Sequence, residues 1–388
     1  MKILRVVYEW PPPWTGLAPA LYGMTKAQTK LGHHITVFCA RWPKAGALEL
    51  LSNVDIKAFL RAPIKGTALV TTAPLMAIYF VFWRLFHKVD VLHLHGHFGL
   101  YIYIYKFLFG FIDKTPIVAH FHICSKAREN EILHSGKRIY VLSKFIEWPL
   151  HKLSEVLALK LASYCICVSE SVKNDFIKEY SADEKKLIVI ESGVDTDIFK
   201  PCNPYEKLDL RRRVGIKEDA VVVSNIGAFV DRKNIHLIVE SLKFLPSNFV
   251  VMLVGKGEKA YVDKLKEIVA SEGLGLRVKF VGEKSNPELP IYYQLSDVFV
   301  LPSVYEGFPK VVLEALSCGI SVAASGFKLP LDIKGLYEVK VHSADSLAEL
   351  ITKITEESVK IDINLIRSRF SWDAQARKVD FVYDKLRV

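Results

Sequence analysis

The stretch Asp297–Gly319 reads DVFVLPSVYEGFPKVVLEALSCG. Val298 to Leu301 is a short apolar run of strand formers closed by Pro302 and Ser303, which predicts a buried parallel strand. A loop, Val304–Phe308, follows. Pro309 suits the first helical position, where its missing N–H would be unpaired anyway, and Gly319 suits the left-handed position just past the end. The helix is therefore expected over about Pro309–Cys318. Its interior is Val311, Val312, Leu313, Ala315 and Leu316, so Glu314 sets a carboxylate into a core-seeking helix. Such a group is costly unless it bonds to something polar, and this anomaly suggests a site.

Seven residues separate Glu306 from Glu314. Between them lie the first amides of the helix, at Lys310 and Val311, which with the helix dipole make an anion site. A phosphate on the amides, with hydroxyl-bearing groups bonded to the two carboxylates, describes a nucleotide sugar. Spacing alone leaves two other readings open: an ordinary loop carboxylate at Glu306, and a buried Lys or Arg paired with Glu314.

The 388 residues have room for two domains of ordinary size. With 51% hydrophobic and 24% charged residues, the chain is globular with full cores and not disordered. Its 52 Lys and Arg against 42 Asp and Glu give +10, which favours anionic partners: diphosphates, nucleic acid or acidic lipid headgroups. The six cysteines are scattered without C-x-x-C spacing, so they read as reduced cytosolic thiols. MKILRVVYEWPPPW has too short an apolar run for a signal peptide and looks like a first strand, so a cytoplasmic location is expected. Ala73–Phe86 is the most apolar window. Arg84 interrupts it and Pro74 opens it, and it falls near the lower limit of about 17–20 residues for spanning a bilayer, so it reads as a buried or surface-lying helix.

Strands alternate with helices from the start. Ile3–Tyr8, Ile35–Ala40, Val89–His95 and Ile117–His122 are strands, and a helix runs from about Ala18 to Leu31 after the Pro11–Gly16 loop. A glycine in that loop, Gly16, lets backbone amides approach a phosphate. Period-two alternation puts Val118, His120 and His122 on one face, with His122 at the strand end where ligands collect in open α/β sheets. His93, His95 and His97 share a face too, and with His120 and His122 offer an alternative metal-binding reading. Further strands are expected at Val221–Gly227, Phe249–Val254 and Val278–Glu283, with a helix over Ile235–Leu245. Arg211-Arg212-Arg213 reads as a solvated helix face. Gly255-Lys-Gly257-Glu258 is a glycine turn that lacks the third glycine of the dinucleotide fingerprint.

The motif Glu306-Gly-Phe308-Pro309-Lys310-Val311-Val-Leu-Glu314-Ala-Leu-Ser-Cys-Gly319 resembles the E-x7-E signature of retaining glycosyltransferases with the GT-B fold, in particular family 4 (glycosyl transferases group 1). The resemblance covers nearly the whole chain, with weak matches in residues 40–90 and 325–345. It implies an α/β protein of two doubly wound Rossmann-like domains facing a cleft. The boundaries expected are 1–198 for an acceptor-side domain, 199–365 for a nucleotide-sugar domain, and 366–388 for a helix returning to the first, with a hinge near 195–205.

The same resemblance implies roles. PIVAHFH lands on His122 as a contact to the transferred sugar. The Thr15-Gly16 turn, where relatives commonly carry two glycines, lies near the leaving diphosphate. Lys233 matches a lysine that neutralises that diphosphate; the arginine usual five residues earlier is Ala228 here, which makes Arg232 the compensating candidate. Gly255, Gly257 and Glu258 wall the nucleobase. Glu314 holds the ribose hydroxyls, Glu306 orients the donor sugar, and Phe308, Pro309, Lys310 and Val311 border the donor. The implied activity is retaining, metal-independent transfer of a hexosyl group from a UDP- or GDP-sugar to a sugar, polysaccharide or lipid-linked acceptor. The nucleotide sugar is a substrate; no cofactor, metal or nucleic acid is expected.

A nucleotide-dependent oxidoreductase or epimerase stays as an alternative, although no G-x-G-x-x-G follows the first strand. So does a non-catalytic sugar-binding protein. Rings and cations around Phe80–Lys88 and Tyr101–Lys114 fit peripheral contact with an anionic membrane, at its inner face; two core helices would fit the same residues.

Overall fold

A computed structural model of the chain describes residues 1–14, 16–41, 46–62, 64, 67–134, 143–328 and 332–387. Thr15, half of the Thr15-Gly16 turn, lies outside them. The chain divides into two compact units, Met1–Ser192 with Trp372–Val388, and Gly193–Ser371. The Val194 amide donates to the Phe370 carbonyl at 2.9 Å, so residues from Gly193 onward already run with the second unit.

The first unit holds a parallel sheet of β1 (Lys2–Val6), β2 (His34–Arg41), β3 (Val54–Leu60), β4 (Val91–His95), β5 (Ile117–Phe121), β6 (Tyr164–Cys167) and β7 (Leu187–Val189), in the order β3-β2-β1-β4-β5-β6-β7. Its helices are α1 (Ala18–Lys30), α2 (Thr72–Phe86), α3 (Leu100–Phe109), α4 (Ser125–His134), α5 (Trp148–Leu161) and α6 (Glu170–Tyr180), joined by the C-terminal helix Trp372–Asp384. Strand alternation sorts the core into two layers. Ile3, Val37, Val91 and Val118 face α1 and the C-terminal helix through Leu21, Met24, Ala376 and Val379. Phe38, one residue on, faces α2 instead, where it meets Tyr79 and Trp83.

The second unit repeats the plan. Its sheet is β8 (Val221–Ile226), β9 (Phe249–Val254), β10 (Val278–Gly282), β11 (Val298–Pro302), β12 (Ser321–Ser325) and β13 (Leu336–Glu338), in the order β10-β9-β8-β11-β12-β13. The helices are α7 (Pro204–Arg213), α8 (Ile235–Ser241), α9 (Lys259–Ser271), α10 (Pro290–Gln294), α11 (Lys310–Ser317), α12 (Ala344–Glu357) and α13 (Ile363–Phe370); the C-terminal helix of the first unit is α14. In both sheets the order reverses beside the first strand, between β1 and β4 and between β8 and β11. Ligands of wound sheets bind at the strand C-termini at such a reversal.

Three local expectations are corrected. Pro309 is the N-cap of α11, with extended backbone, and not its first helical residue. The helix after β8 ends at Ser241, because Leu242–Leu245 tighten into i to i−3 turns. Arg211 is no solvated side chain: only 5% exposed, it donates to the Leu295 and Ala220 carbonyls and to Asp297, tying α7 to the start of β11. Arg212 and Arg213 do face solvent, in ion pairs with Glu218 and Asp209.

Candidate active site

At the reversal point of the second unit, the ends of β8 and β11 lie side by side. The Asn225 amide inside β8 donates to the Val300 carbonyl at 2.7 Å, and Asn234, just past β8, donates to the Pro302 carbonyl at 3.0 Å. The turn Asp231–Lys233 is held against the loop after β11 by the Val304 amide, which donates to the Arg232 carbonyl at 2.8 Å. These bonds bring Arg232 and Lys233 to the same place as Glu306.

Arg232 has a definite direction. Its guanidinium donates to the Tyr305 carbonyl at 2.6 Å and meets the Glu306 carboxylate at 2.8 Å. Glu306 also accepts from the Ser303 hydroxyl at 3.0 Å, and its amide donates to the Gly326 carbonyl at 2.6 Å. The guanidinium thus braces the Glu306 loop.

Lys233 differs. It is 7% exposed, and among the described residues its ammonium forms no ion pair within 4 Å. Burial lowers its pKa, with the Glu306 charge opposing and the Arg232 charge adding to that effect. The ammonium lies against Gly227 at the end of β8, 2.6 Å from where a side chain there would begin. A nearly enclosed cation of this kind is a receptor for an anion.

Glu314 is 6% exposed on α11. Its carboxylate accepts from the Tyr293 hydroxyl at 2.7 Å and from the Asn286 side chain. Burial raises its pKa; Lys310, one turn earlier, and the two hydrogen bonds work against that rise. No buried Lys or Arg pairs with it among the described residues. Tyr293 and Asn286 were not among the expected site residues, since they stand on α10 and the turn before it, about 20 positions upstream. Phe308 and Val311 pack against the hydrophobic core, Phe308 with its ring 6.2 Å from Phe327. Lys310 and Val311 present the first amides of α11.

The Gly255–Glu258 turn follows β9 and pairs with the turn after β8: the Phe229 amide donates to the Lys256 carbonyl at 2.8 Å. Gly255 sits at φ +148°, and any side chain there would collide with the Gly227 carbonyl. Gly257 is similarly closed by Phe229. Both glycines are required by the neighbouring turn, independently of a ligand. Glu258 is exposed at the start of α9.

In the first unit, Gly16 at φ +61° lies against Glu9, whose carboxylate accepts from the Leu17 amide at 2.9 Å and pairs with Arg61 at 3.5 Å. The chain's own carboxylate therefore occupies the start of α1, and a phosphate there requires Glu9 to turn away. Sequence reasoning missed Glu9; a lone carboxylate at a strand end gives no signal.

His122 follows β5 and ends a column of imidazoles. The His93, His95, His120 and His122 rings stack with neighbouring centroids 4.4–5.8 Å apart and planes within 24° of each other. Nitrogen atoms of His93, His95 and His120 lie within 4.8 Å of one another. His93 Nε2 and His120 Nδ1 lie 3.3 Å apart, within hydrogen-bond reach of each other, and buried Arg5 adds a cation next to them, so the set is better suited to neutral imidazole than to a metal. Burial pushes all three well below the ordinary histidine pKa. His97 leaves the column: it bonds Glu155 at 3.1 Å and Ser125 at 3.0 Å.

Comparison with known proteins identifies the fold and the family. Residues 14–198 match the family described as Glycosyltransferase Family 4, and residues 206–379 that described as Glycosyl transferases group 1. An uncharacterised glycosyltransferase of Methanocaldococcus jannaschii is 24% identical over 99% of this chain and 98% of its own length. The UDP-Gal:alpha-D-GlcNAc-diphosphoundecaprenol alpha-1,3-galactosyltransferase of Escherichia coli is 28% identical over 54% of this chain, which spans 56% of that protein. Among solved structures, Anabaena HepE in complex with UDP and glucose superposes with a TM-score of 0.76 over 99% of this chain and all of its own, at 20% identity. The chain therefore has the GT-B fold and belongs to the family 4 (group 1) glycosyltransferases, enzymes that use nucleotide-sugar donors.

Proposed function

We propose that this chain transfers a hexosyl group from a UDP-hexose, with retention of anomeric configuration, to a hydroxyl of a carbohydrate or lipid-linked acceptor. The observation that carries the reading is Lys233, a nearly buried ammonium without an ion pair, beside a loop that presents helix amides and a braced carboxylate. UDP is chosen over GDP because the Escherichia coli relative is named for UDP-Gal and Anabaena HepE was solved with UDP.

In this mechanism the diphosphate rests on Lys233 and the first amides of α11, which stabilise charge as the bond from the anomeric carbon to the phosphate oxygen breaks. The acceptor oxygen bonds to the anomeric carbon on the same face, and its proton passes to the departing diphosphate. Glu314 accepts from the ribose hydroxyls, Glu306 orients the sugar, and Gly255, Gly257 and Glu258 border the base. His122 is assigned to the transferred sugar on family grounds. Fixed cations and amides already answer the developing charge, so no metal enters the scheme.

Incubation with UDP- and GDP-hexoses in EDTA, followed by nucleoside diphosphate release and proton NMR of the first product, tests each part. UDP release with the donor's anomeric coupling is expected. An inverted coupling overturns the mechanism, release from GDP-sugars alone overturns the donor, and reaction only with added metal overturns the metal-free step.

A further inference from the structure

The outer surface of the helix layer on the first unit is apolar where a soluble protein ordinarily places charge. Helix α2 buries Ala73, Met76, Phe80 and Trp83 toward the sheet, the spacing of one helical face. Its opposite face carries Leu75, Ile78, Phe82, Leu85 and Phe86, with Phe82 64% and Phe86 82% exposed. Helix α3 packs beside α2, joined by the Phe80 and Tyr105 rings at 5.2 Å, and ends in exposed Phe107, Leu108 and Phe109, followed by Phe111 and Ile112. Beyond α3 lies α5, which exposes Leu153 and Val156. A contiguous apolar patch of this kind marks an interaction site.

Charge around the patch identifies what covers it. Between residues 56 and 114 the sequence holds seven Lys and Arg against two acids, Asp90 and Asp113. Asp90 is occupied, accepting from the Lys2 amide at 2.7 Å. Arg84 and Lys106 share Asp113, a clamp that fixes the C-terminal ends of α2 and α3 together and leaves one positive charge over. Exposed Lys88 and Lys114 come directly after the two apolar ends, and Lys160 of α5 has its ammonium 5.3 Å from the Phe107 ring. A second copy of this chain laid on the patch would bring these cations against their own counterparts. An anionic lipid surface pairs them instead, while the phenylalanines enter the acyl boundary. No described helix is long and apolar enough to cross a membrane, so the contact is peripheral.

We infer that the face made by α2, α3 and the outer stripe of α5 docks on an anionic bilayer. The inference does not depend on the transferase reading, and its test needs no donor. Flotation of the full chain at physiological salt, with phosphatidylcholine vesicles containing or lacking phosphatidylglycerol, should carry the protein up with the anionic vesicles and leave most of it behind with the neutral ones. Phe82→Asp with Phe86→Asp should reduce the floated fraction about tenfold or more, with the thermal midpoint unchanged because both rings are exposed. Lys88→Glu with Lys114→Glu, which touches no apolar contact, should reduce it about tenfold as well. Wild-type protein left in the soluble fraction overturns the proposal, as does flotation unaffected by either pair. A dimer in sedimentation velocity that the phenylalanine pair dissociates would assign the face to a second copy and overturn it too.

Discussion

The two units are wound on the same plan, yet the layers beside their first strands bury different polar groups. In the second unit several large polar groups that enter the core are bonded: Arg211 to Asp297 and two carbonyls, Asn225 to the Val300 carbonyl, and Glu314 to the Tyr293 hydroxyl. Under α1 and α14 the first unit instead buries Arg5, bonded to Thr25 and Gln28 but to no carboxylate among the described residues, next to His93, His95 and His120. His93 reaches the Tyr383 hydroxyl, while among the described residues neither ring nitrogen of His95 has a hydrogen-bond partner. Outside, among the described residues, the first unit turns Phe82, Phe86, Phe107, Phe109 and Phe111 to its surface, where the second exposes Phe244. The second unit sets buried Lys233 beside Glu306 and Arg232. The first keeps its interior layer neutral at the imidazoles.

Acid breaks this comparison most strongly. His93, His95 and His120 have pKa values held well below 6.5 by burial, with the Arg5 cation adding to the effect. In the unfolded chain they take up protons as the pH falls through 6.5 while the folded chain does not, so stability is present above that pH and lost below it. Each group contributes a slope of about 1.4 kcal/mol per pH unit, roughly 4 kcal/mol for the three once the pH is well under 6.5. His151, held at about 3, acts in the same direction. Hydrogen exchange at pH 7 and pH 5 should show amides of β1, β4 and β5 losing protection while those of β8 and β11 keep theirs. Equal losses in the two sheets would refute the contrast.

Lys233 is the other unit's counterpart, a buried cation that the proposed function assigns to the diphosphate. Lys233→Ala should slow nucleoside diphosphate release by about 10²–10³-fold, or about 3–4 kcal/mol of barrier, with a smaller change in donor affinity. It should not destabilise the free protein, since it removes a poorly solvated charge. Burial lowers the Lys233 pKa, so between that value and 10.5 the unfolded chain holds more protons, and stability from this group rises with pH. Diphosphate binding, which needs the charge, weakens over the same window. Unchanged turnover in Lys233→Ala would move the role to Arg232, which the structure commits to Glu306.

A glycine tests whether the two turns of the second unit are as close as drawn. Gly255→Ala must place a methyl against the Gly227 carbonyl at a backbone angle of +148°, and should cost about 2–4 kcal/mol. Urea unfolding reads that loss directly. An unchanged midpoint would mean that the glycine serves only the ligand.

Legibility in the sequence followed punctuation and isolation. β11 and α11 could be read because Pro302, Ser303 and Gly319 mark their ends, and Glu314 stood out as a carboxylate among apolar neighbours. β3 was not read: it is an edge strand, largely open to solvent, with no apolar run to betray it. Arg211 lay in a triple-arginine run, where only the tertiary fold distinguishes the buried side chain from its exposed neighbours. His97 has the alternation of a strand residue, but the chain turns at Gly96, with φ +57°, and carries it to Glu155. The partners of Glu314 come from another helix, and no spacing rule reaches across a loop and a strand to name Tyr293.

Glu314 gives the smallest effect and the finest distinction between a ligand site and a structural one. Its pKa is raised by burial, so between 4.5 and the folded value the native state binds more protons than the unfolded chain. Stability linked to this group is thus present at low pH and lost as the pH rises through the folded value, which leaves the ionised carboxylate a net cost to the free protein at pH 8. Glu314→Gln keeps the shape, an acceptor for the Tyr293 hydroxyl and no charge. It should leave the free protein unchanged or more stable by about 1 kcal/mol at pH 8 while weakening nucleoside diphosphate binding, because a neutral amide accepts less strongly from a pair of hydroxyls than a carboxylate does. Thermal midpoints with and without UDP separate these terms: the free midpoint reads the core, and the shift on adding UDP reads the site. A fall in the free midpoint with the UDP shift intact would assign Glu314 to Tyr293 and Asn286 as a structural acceptor, and the second unit would then bury a carboxylate for the same internal reason that the first buries its imidazoles.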